Sequence, residues 1–534
     1  MISMDDFAGT AAMIQLILRR DKIIIPLLIL FVTLFVAFVA ASFINLYSDE
    51  SLRMGFYLQM KNNPTVVTLL GSVLDPSIGA LTAWRVGFPA SLIIGLISVF
   101  LMVRHTRSEE RKGRLELINS TKVGRQAVLS AALITTFGVN LIIAVLIGLG
   151  LISRGLDAYS SLVLGMSLAA FGCLFAAITG VAVQLTESSG DARYLMAGLL
   201  VGFFIVRVFG WDGGDYVWVS WLSPYGWVHH IGPFAGNKIW IFAIFLAFIP
   251  GLTALAYWLS SMRDLGAGII TQRPGPARAS KNLRSSLALA WRLHRGMLFF
   301  WIIIFVLMGT MLGFTAQTVT DMIITNPQFV NLILQLGGNA GVTDSYFTMM
   351  LAFLGEVFAF YAILATLKLQ SQESNKYSEM VLTSSVSRSQ WAVSNLVFAV
   401  LAPALVLIIF ALSMGLSYGL ITNALSDVTI RILGAALMYL PAIWLFTGIS
   451  MLLFGLVPRL AAFSWVALVL VVIIDLLGEF FDLNQWILDI SPFTHVPRLM
   501  VGDEISSSLI LLFVAAMALI FVGIWGYRRR DVNG

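Results

Sequence analysis

The residues of this chain that could do chemistry are few, and the familiar catalytic patterns are missing among them. The five histidines, His105, His229, His230, His294 and His495, show no H-E-x-x-H or comparable ligand spacing, so no metal site is expected. The single cysteine, Cys173, lies in an apolar run; it excludes an intrachain disulfide or thiolate cluster and reads as a small buried hydrophobe. The phosphate-cradling pattern G-x-x-x-x-G-K-[ST] is absent, so ATP hydrolysis by this chain is not expected and no catalytic residue is assigned.

What remains is charge in unusual places. Arg207, Glu356 and Asp475 sit inside apolar runs, where ionisable side chains are costly and mark a gate or substrate path by default. Glu356 can attract a cationic compound or bond a neighbouring helix. Two mixed-charge segments form a second set: RHTRSEERKGRLELINSTKVGR at 104–125 and KLQSQESNKYSEMVLTSSVSR at 368–388. Sorting of basic residues alone would not retain their acids. Each therefore reads as a short charged helix that meets something, with Leu115, Leu117 and Ile118, or Met380, Val381 and Leu382, as its apolar side. The alternative is a solvated loop whose charges only set topology.

The elements that must position these residues are membrane helices. Of 534 residues 59% are hydrophobic and 11% charged, against about 45–50% and about 25% in a soluble domain. At about 20 apolar residues per crossing, a dozen helices use most of that stock and leave little for globular domains. The net charge of +5 and the pI near 9.3 are read as basic residues sorted to cytoplasmic loops, not as a nucleic-acid surface. The first apolar run, 23–45, is too long, and too acidic before it, for a cleaved signal peptide.

Spans are expected at 23–45, 84–103, 127–152, 160–184, 194–211 and 239–260, then at 297–316, 347–369, 391–418, 431–457, 460–479 and 506–527. Between the sets, 263–284 carries Gln272-Arg273-Pro274-Gly275-Pro276 and reads as a cytoplasmic linker joining halves 1–262 and 285–534. Placing both termini inside puts about 25 of the 33 basic residues on the cytoplasmic face. The expected fold is thus an all-α integral membrane protein of about twelve helices, in two parallel six-helix repeats.

The repeat shows in ordered polar matches. At an offset of 263, Asn63-Pro64 meets Asn326-Pro327, Ser108 meets Ser371, Glu110 meets Glu373, Glu116 meets Glu379, and Arg125 meets Arg388. At 268, Gly210 meets Gly478, Trp218 meets Trp486, Ser223-Pro224 meets Ser491-Pro492, and Arg207 meets Asp475. Arg207 and Asp475 are therefore expected at equal depth, either facing each other across a pseudo-twofold axis as a salt bridge or hydrogen-bonded gate, or each reaching independently to the outer surface. Two further features recur. Residues 7–20 and 285–295 each lead into a span and end in basic residues, as an interfacial helix would; an extended first span is the plainer reading. The outer segments 212–234 and 480–502, rich in tryptophan and broken by Gly and Pro, are expected to dip into the outer leaflet as short re-entrant helices; Trp211, Trp218, Trp221 and Trp227 favour that depth, as a plain aromatic belt also would.

Together these features resemble the type-2 class of ABC exporter permeases, in the fused twelve-span form of bacterial antibiotic and polyketide efflux systems. The likeness covers nearly the whole chain and rests on the interfacial helices, the E-x5-E plus Arg loops (Glu110, Glu116, Arg125; Glu373, Glu379, Arg388) and Ser223-Pro224-Tyr225 and Ser491-Pro492-Phe493. It implies that the loop after the second span of each half, including Arg114 and Lys376, is a coupling helix docking on a nucleotide-binding subunit, and that the outer segments close the exit. It also implies ATP and Mg in two copies of a soluble partner ATPase, no cofactor in this chain, and outward movement of lipophilic drugs across a bacterial plasma membrane. The second loop is less basic than the first, which sets the two docks apart. A proton- or sodium-coupled secondary transporter has the same span count, but its G-x-x-x-D-R-x-G-R-R-type loop is missing here; a non-transporting scaffold or sensor is the other alternative.

Overall fold

The computed structural model describes residues 4–62, 64–111, 113, 122–210, 216–264, 266–270, 283, 285–324, 341–374, 377–477 and 484–530. Every regular element among them is helical, and twelve helices are long and apolar enough to cross a membrane. A bilayer offers no hydrogen-bond partners to the backbone, which is why so apolar a chain satisfies its amides within helices. Two compact units emerge, Met1–Gly275 and Pro276–Gly534, with six spans in each.

In the first unit spans 1 to 6 are Ile24–Leu46, Ile78–Glu110, Ala127–Ile152, Ala158–Leu185, Ser189–Phe209 and Ile239–Met262. Their starts carry ordinary caps: Asp157 accepts from the Ser160 amide at 2.8 Å ahead of span 4, and Ser77 from Ala80 ahead of span 2. Span 4 is the most enclosed of the six and span 6 the least. Leu246 on span 6 and Phe209 on span 5 are about 70% exposed, as side chains that face lipid would be.

In the second unit spans 7 to 12 are Ser286–Gln317, Val342–Ser374, Arg388–Thr422, Leu425–Leu456, Pro458–Asp475 and Ser507–Arg529. Span 9 opens with a capping box between Ser387 and Gln390. Spans 10 and 12 pack backbone to backbone, since a Cβ at Gly455 would strike the Gly523 carbonyl and one at Gly523 the Met451 carbonyl. Small residues that allow such contact are how membrane helices associate without a hydrophobic drive between them.

The structure corrects one expectation. The first unit does have a separate leading helix, Thr10–Arg20, with Met13 and Ile17 buried. In the second unit residues 286–295 belong instead to one 39-residue helix, Ser286–Ile324. At 1.5 Å per residue it is about 58 Å long and overreaches a hydrocarbon core of about 30 Å. The difference lies at Asp21: its amide still bonds Ile17, but its carboxylate is drawn fully into the unit and the chain turns there. The corresponding stretch, Arg295-Gly296-Met297, has no such anchor, and the helix runs on.

Candidate functional site

Charge gathers at one end of each unit, where the second span of that half stops, the third starts and the sixth exits. In the first unit the end of span 2 supplies Arg104, His105, Arg107, Glu109 and Glu110. Asp21 receives the Arg104 guanidinium at 2.7 and 2.9 Å, with His105 Nε2 2.9 Å away. Arg20 pairs with Glu109 at 2.5 Å. The leading helix is thereby fixed to span 2. Its preceding segment is fixed to the start of span 3 by backbone bonds from Gly124 to Ala8 and from Gln126 to Asp6. Only glycine suits position 124, where a Cβ would collide with the Asp6 backbone.

Glu110 is the centre of a second network. Its carboxylate accepts from Arg263 Nη1 at 2.7 Å and Nη2 at 3.1 Å, from Arg107 Nη1 at 2.9 Å and from the Gly266 amide at 2.6 Å. Arg263, just past span 6, also donates to Gln184 Oε1 at 2.5 Å. Its carbonyl in turn accepts from Arg125 Nη2 at 2.5 Å. One residue thus holds both sides of the loop after span 2: the guanidinium takes the glutamate on the near side, and the carbonyl takes the arginine on the far side. Beyond it, the amides of Ile269 and Ile270 bond the carbonyls of Gln184 and Leu185 at the end of span 4.

The second unit repeats this clasp with a different lining. Arg530, just past span 12, donates to Glu373 Oε2 at 2.6 Å, and its carbonyl accepts from Arg388 Nη1 at 2.6 Å. Its guanidinium lies over the rings of Phe454 and Tyr527, 4.7 and 5.1 Å from their centroids, a cation–π setting. Between its two sides stands the short helix Tyr377–Leu382. Ser378 on it is buried near Trp391, while Glu379 is exposed and Met380 is 72% exposed.

Of the residues expected to couple, Glu110 and Glu373 are turned inward and paired, Arg125 and Arg388 are spent on carbonyls, and Glu379 faces outward. Arg114, Glu116 and Lys376 lie outside the described residues. Arg263 and Arg530 were missed. Their signal was present as Arg263-Asp264 and Arg530-Asp531, an offset of 267, but each follows a span, where a basic residue is expected for topology alone.

The opposite ends are aromatic. In the first unit Val217–Leu222 and Pro224–Ile231 form two short helices. Ser223 caps the second and donates to the Phe203 carbonyl at 2.7 Å. Tyr225 is buried against Phe88, Phe171 and Phe204, and this burial raises the pKa of its phenol. Arg207 is 5% exposed and donates to the Thr68 carbonyl at 2.8 Å. With Trp84, Phe88, Tyr225 and His229 it lines a small cleft. Trp211 lies outside the described residues.

In the second unit Ser491 and Pro492 are buried, and the described helical pieces are Gln485–Leu488 and the turn Leu499–Val501. Ser491 donates not to a backbone carbonyl but to Asp475 Oδ2, at 2.7 Å. The carboxyl groups of Asp475 on span 11 and Glu356 on span 8 are neighbours. Arg207 and Asp475 therefore each hold partners within their own unit. Trp218 and Trp486 are exposed at 63% and 66%.

Twelve apolar helices with charged loops at one end of each half and buried aromatic segments at the other define a multi-pass membrane permease. The chain belongs to the family described as multidrug efflux system permease Rv1217c, C-terminal domain, which matches residues 59–259 and 283–528. It is also similar to the multidrug efflux system permease protein Rv1217c of Mycobacterium tuberculosis, 34% identical over 528 residues that cover 99% of this chain and 96% of that one. It is accordingly an efflux permease of a bacterial cell membrane.

Proposed function

We propose that this chain is the transmembrane subunit of an ATP-binding-cassette exporter that moves lipophilic or amphiphilic compounds, antibiotics and drugs among them, out of the cell. A separate soluble ATPase, in two copies, supplies the energy and holds ATP and Mg. The termini and both charged ends face the cytoplasm, in keeping with the distribution of basic residues. The ATPases dock on the loops after spans 2 and 8.

The observation that carries this reading is the helix Tyr377–Leu382, which presents Glu379 and Met380 outward from a loop whose two sides are held by buried or partly buried bonds. A charged and apolar face raised on a fixed neck suits a docking contact. The printed name of the relative, a multidrug efflux permease, supports the direction and the class of cargo.

The test is drug susceptibility and ATP hydrolysis with the permease and a cassette ATPase co-expressed, comparing wild type with Glu116→Lys and Glu379→Lys together. Charge reversal at both is expected to abolish efflux while the spans stay folded. Full efflux in that variant removes the docking role. Uphill transport by the purified permease alone in sealed vesicles, driven by an ion gradient, replaces the whole reading with a secondary transporter.

A further inference from the structure

We infer that Arg263 and Arg530 are positioning residues for coupling: each ties both sides of the loop after the second span of its half to the exit of that half's last span. The inference rests on the docking role proposed above for those loops and adds the part that carries a displacement onward.

The geometry makes a closed neck. Glu110 and Arg125 stand on either side of a loop of about fourteen residues, whose free closure would cost conformational entropy. Both bond the same residue, Glu110 through the Arg263 side chain and Arg125 through the Arg263 carbonyl. Glu373, Arg388 and Arg530 repeat the arrangement, side chain for side chain and carbonyl for carbonyl. The paired groups are largely shielded: side-chain exposures are 7% and 13% for Glu110 and Arg263, and 13% and 14% for Glu373 and Arg530.

Shielding makes breakage costly, because removing one partner leaves a charge unpaired. Arginine is the residue that can do this, since its fork reaches two carboxylate oxygens and keeps donors for Gln184 or a face for Phe454. A push on the loop therefore moves the exit of span 6 or 12 directly. Arg125 also donates to the Ser260 carbonyl on span 6 at 3.0 Å, so the far side of the loop meets that span as well as the residue just past it.

The experiment uses the full chain with its ATPase in proteoliposomes, reading drug moved per ATP hydrolysed. Arg263→Ala is expected to lower that ratio by at least about fivefold, the low end of an ordinary coupling free energy, and Arg530→Ala to lower it as well. Arg263→Lys should recover part of the loss, and Glu110→Arg combined with Arg263→Glu should recover more than either single change. A residue that only stabilises the fold would lower ATP turnover and transport together and leave the ratio where it was; that result overturns the inference. Because the alanine variants can fold poorly, trypsin cleavage at Arg111, Lys112, Arg114 and Lys122 is followed on detergent-purified protein. Faster cutting is expected in Arg263→Lys, and a rate equal to wild type counts against the closed neck. If wild-type permease neither binds nor stimulates the ATPase, the docking role fails and the inference falls with it; if wild type couples and the variants match it, only the inference falls.

Discussion

The two charged ends solve one problem with different chemistry. In the first unit the arginine past span 6 is set among hydrogen bonds: Glu110, Gln184 and the Ala267 carbonyl accept from it, and Arg107 adds a second cation on the same carboxylate. In the second unit the arginine past span 12 meets one carboxylate and two aromatic rings. What is kept between them is the closure of the loop neck. What varies is the lining, polar in one half and aromatic in the other, so the two necks should differ in how hard they are to open.

The largest difference is expected at the leading helix. Asp21 is fully buried beneath Arg104 and His105, and Asp21→Ala takes this carboxylate from the partly exposed Arg104 guanidinium, a loss of about 3 kcal/mol, the low end for a buried pair. The matching place in the second unit has no carboxylate; there Lys368 donates to the Leu293 carbonyl. Lys368→Met removes one bond to a neutral acceptor and should cost no more than about 1.5 kcal/mol. Thermal unfolding of the purified variants in detergent reads both. Equal losses would mean that the break at Asp21 is incidental to how the two leading helices differ.

Next comes the neck itself. Glu110→Gln turns an amide toward donors from Arg107, Arg263 and Gly266, and is expected to cost about 2–3 kcal/mol. Among the described residues Glu373 accepts from Arg530 alone, and a glutamine oxygen can keep that bond, so Glu373→Gln should cost about 1 kcal/mol. The same melts measure it. A reversed order would show that the aromatic lining holds its arginine less well than the polar one and leans harder on the carboxylate.

The division between what the sequence made legible and what it hid follows the same physics. All twelve spans could be read because a bilayer demands uninterrupted apolar length, and that is a property of local composition. Glu110, Arg125, Glu373 and Arg388 stood out as polar matches at a constant offset, yet their partner could not be told, because a hydrogen bond between the ends of spans 2 and 6 has no local signature. Arg263 was further masked by the topological reason for having a basic residue there. For 286–295 the plainer reading, an extended first span, is the one that holds, because the separation in the first unit depends on a tertiary contact, Asp21 with Arg104, that has no counterpart among the described residues of the second unit.

At the aromatic ends the related serines do unlike work, and a smaller contrast should appear. Ser223→Ala removes a helix cap and a bond to the Phe203 carbonyl, worth about 1 kcal/mol. Ser491→Ala withdraws a donor from Asp475, a bond to a carboxyl worth about 1.5 kcal/mol or more when that group is charged. A second variant, Glu356→Gln, sharpens the point. An amide can donate to Asp475 without a proton being shared, so if the carboxyl pair is what holds span 8 to span 11, Glu356→Gln keeps stability where Glu356→Ala loses it. Loss in both would place the role of Glu356 elsewhere.

The smallest effect is expected at Trp218 and Trp486, which share the 268 offset and stand largely exposed at the rim of the aromatic ends. An interfacial ring gains from the boundary between apolar tail and water, not from packing against its own protein. Each Trp→Ala change should therefore leave unfolding in detergent within about 0.5 kcal/mol of wild type, as for other substitutions away from packed sites. Reconstituted in bilayers the same variants should lose tryptophan quenching by lipids brominated near the headgroup. A clear destabilisation at Trp486 alone would mean that the second rim, with its shorter helical piece Gln485–Leu488, relies on that ring for cover. The difference between the halves would then reach from the charged end to the aromatic one.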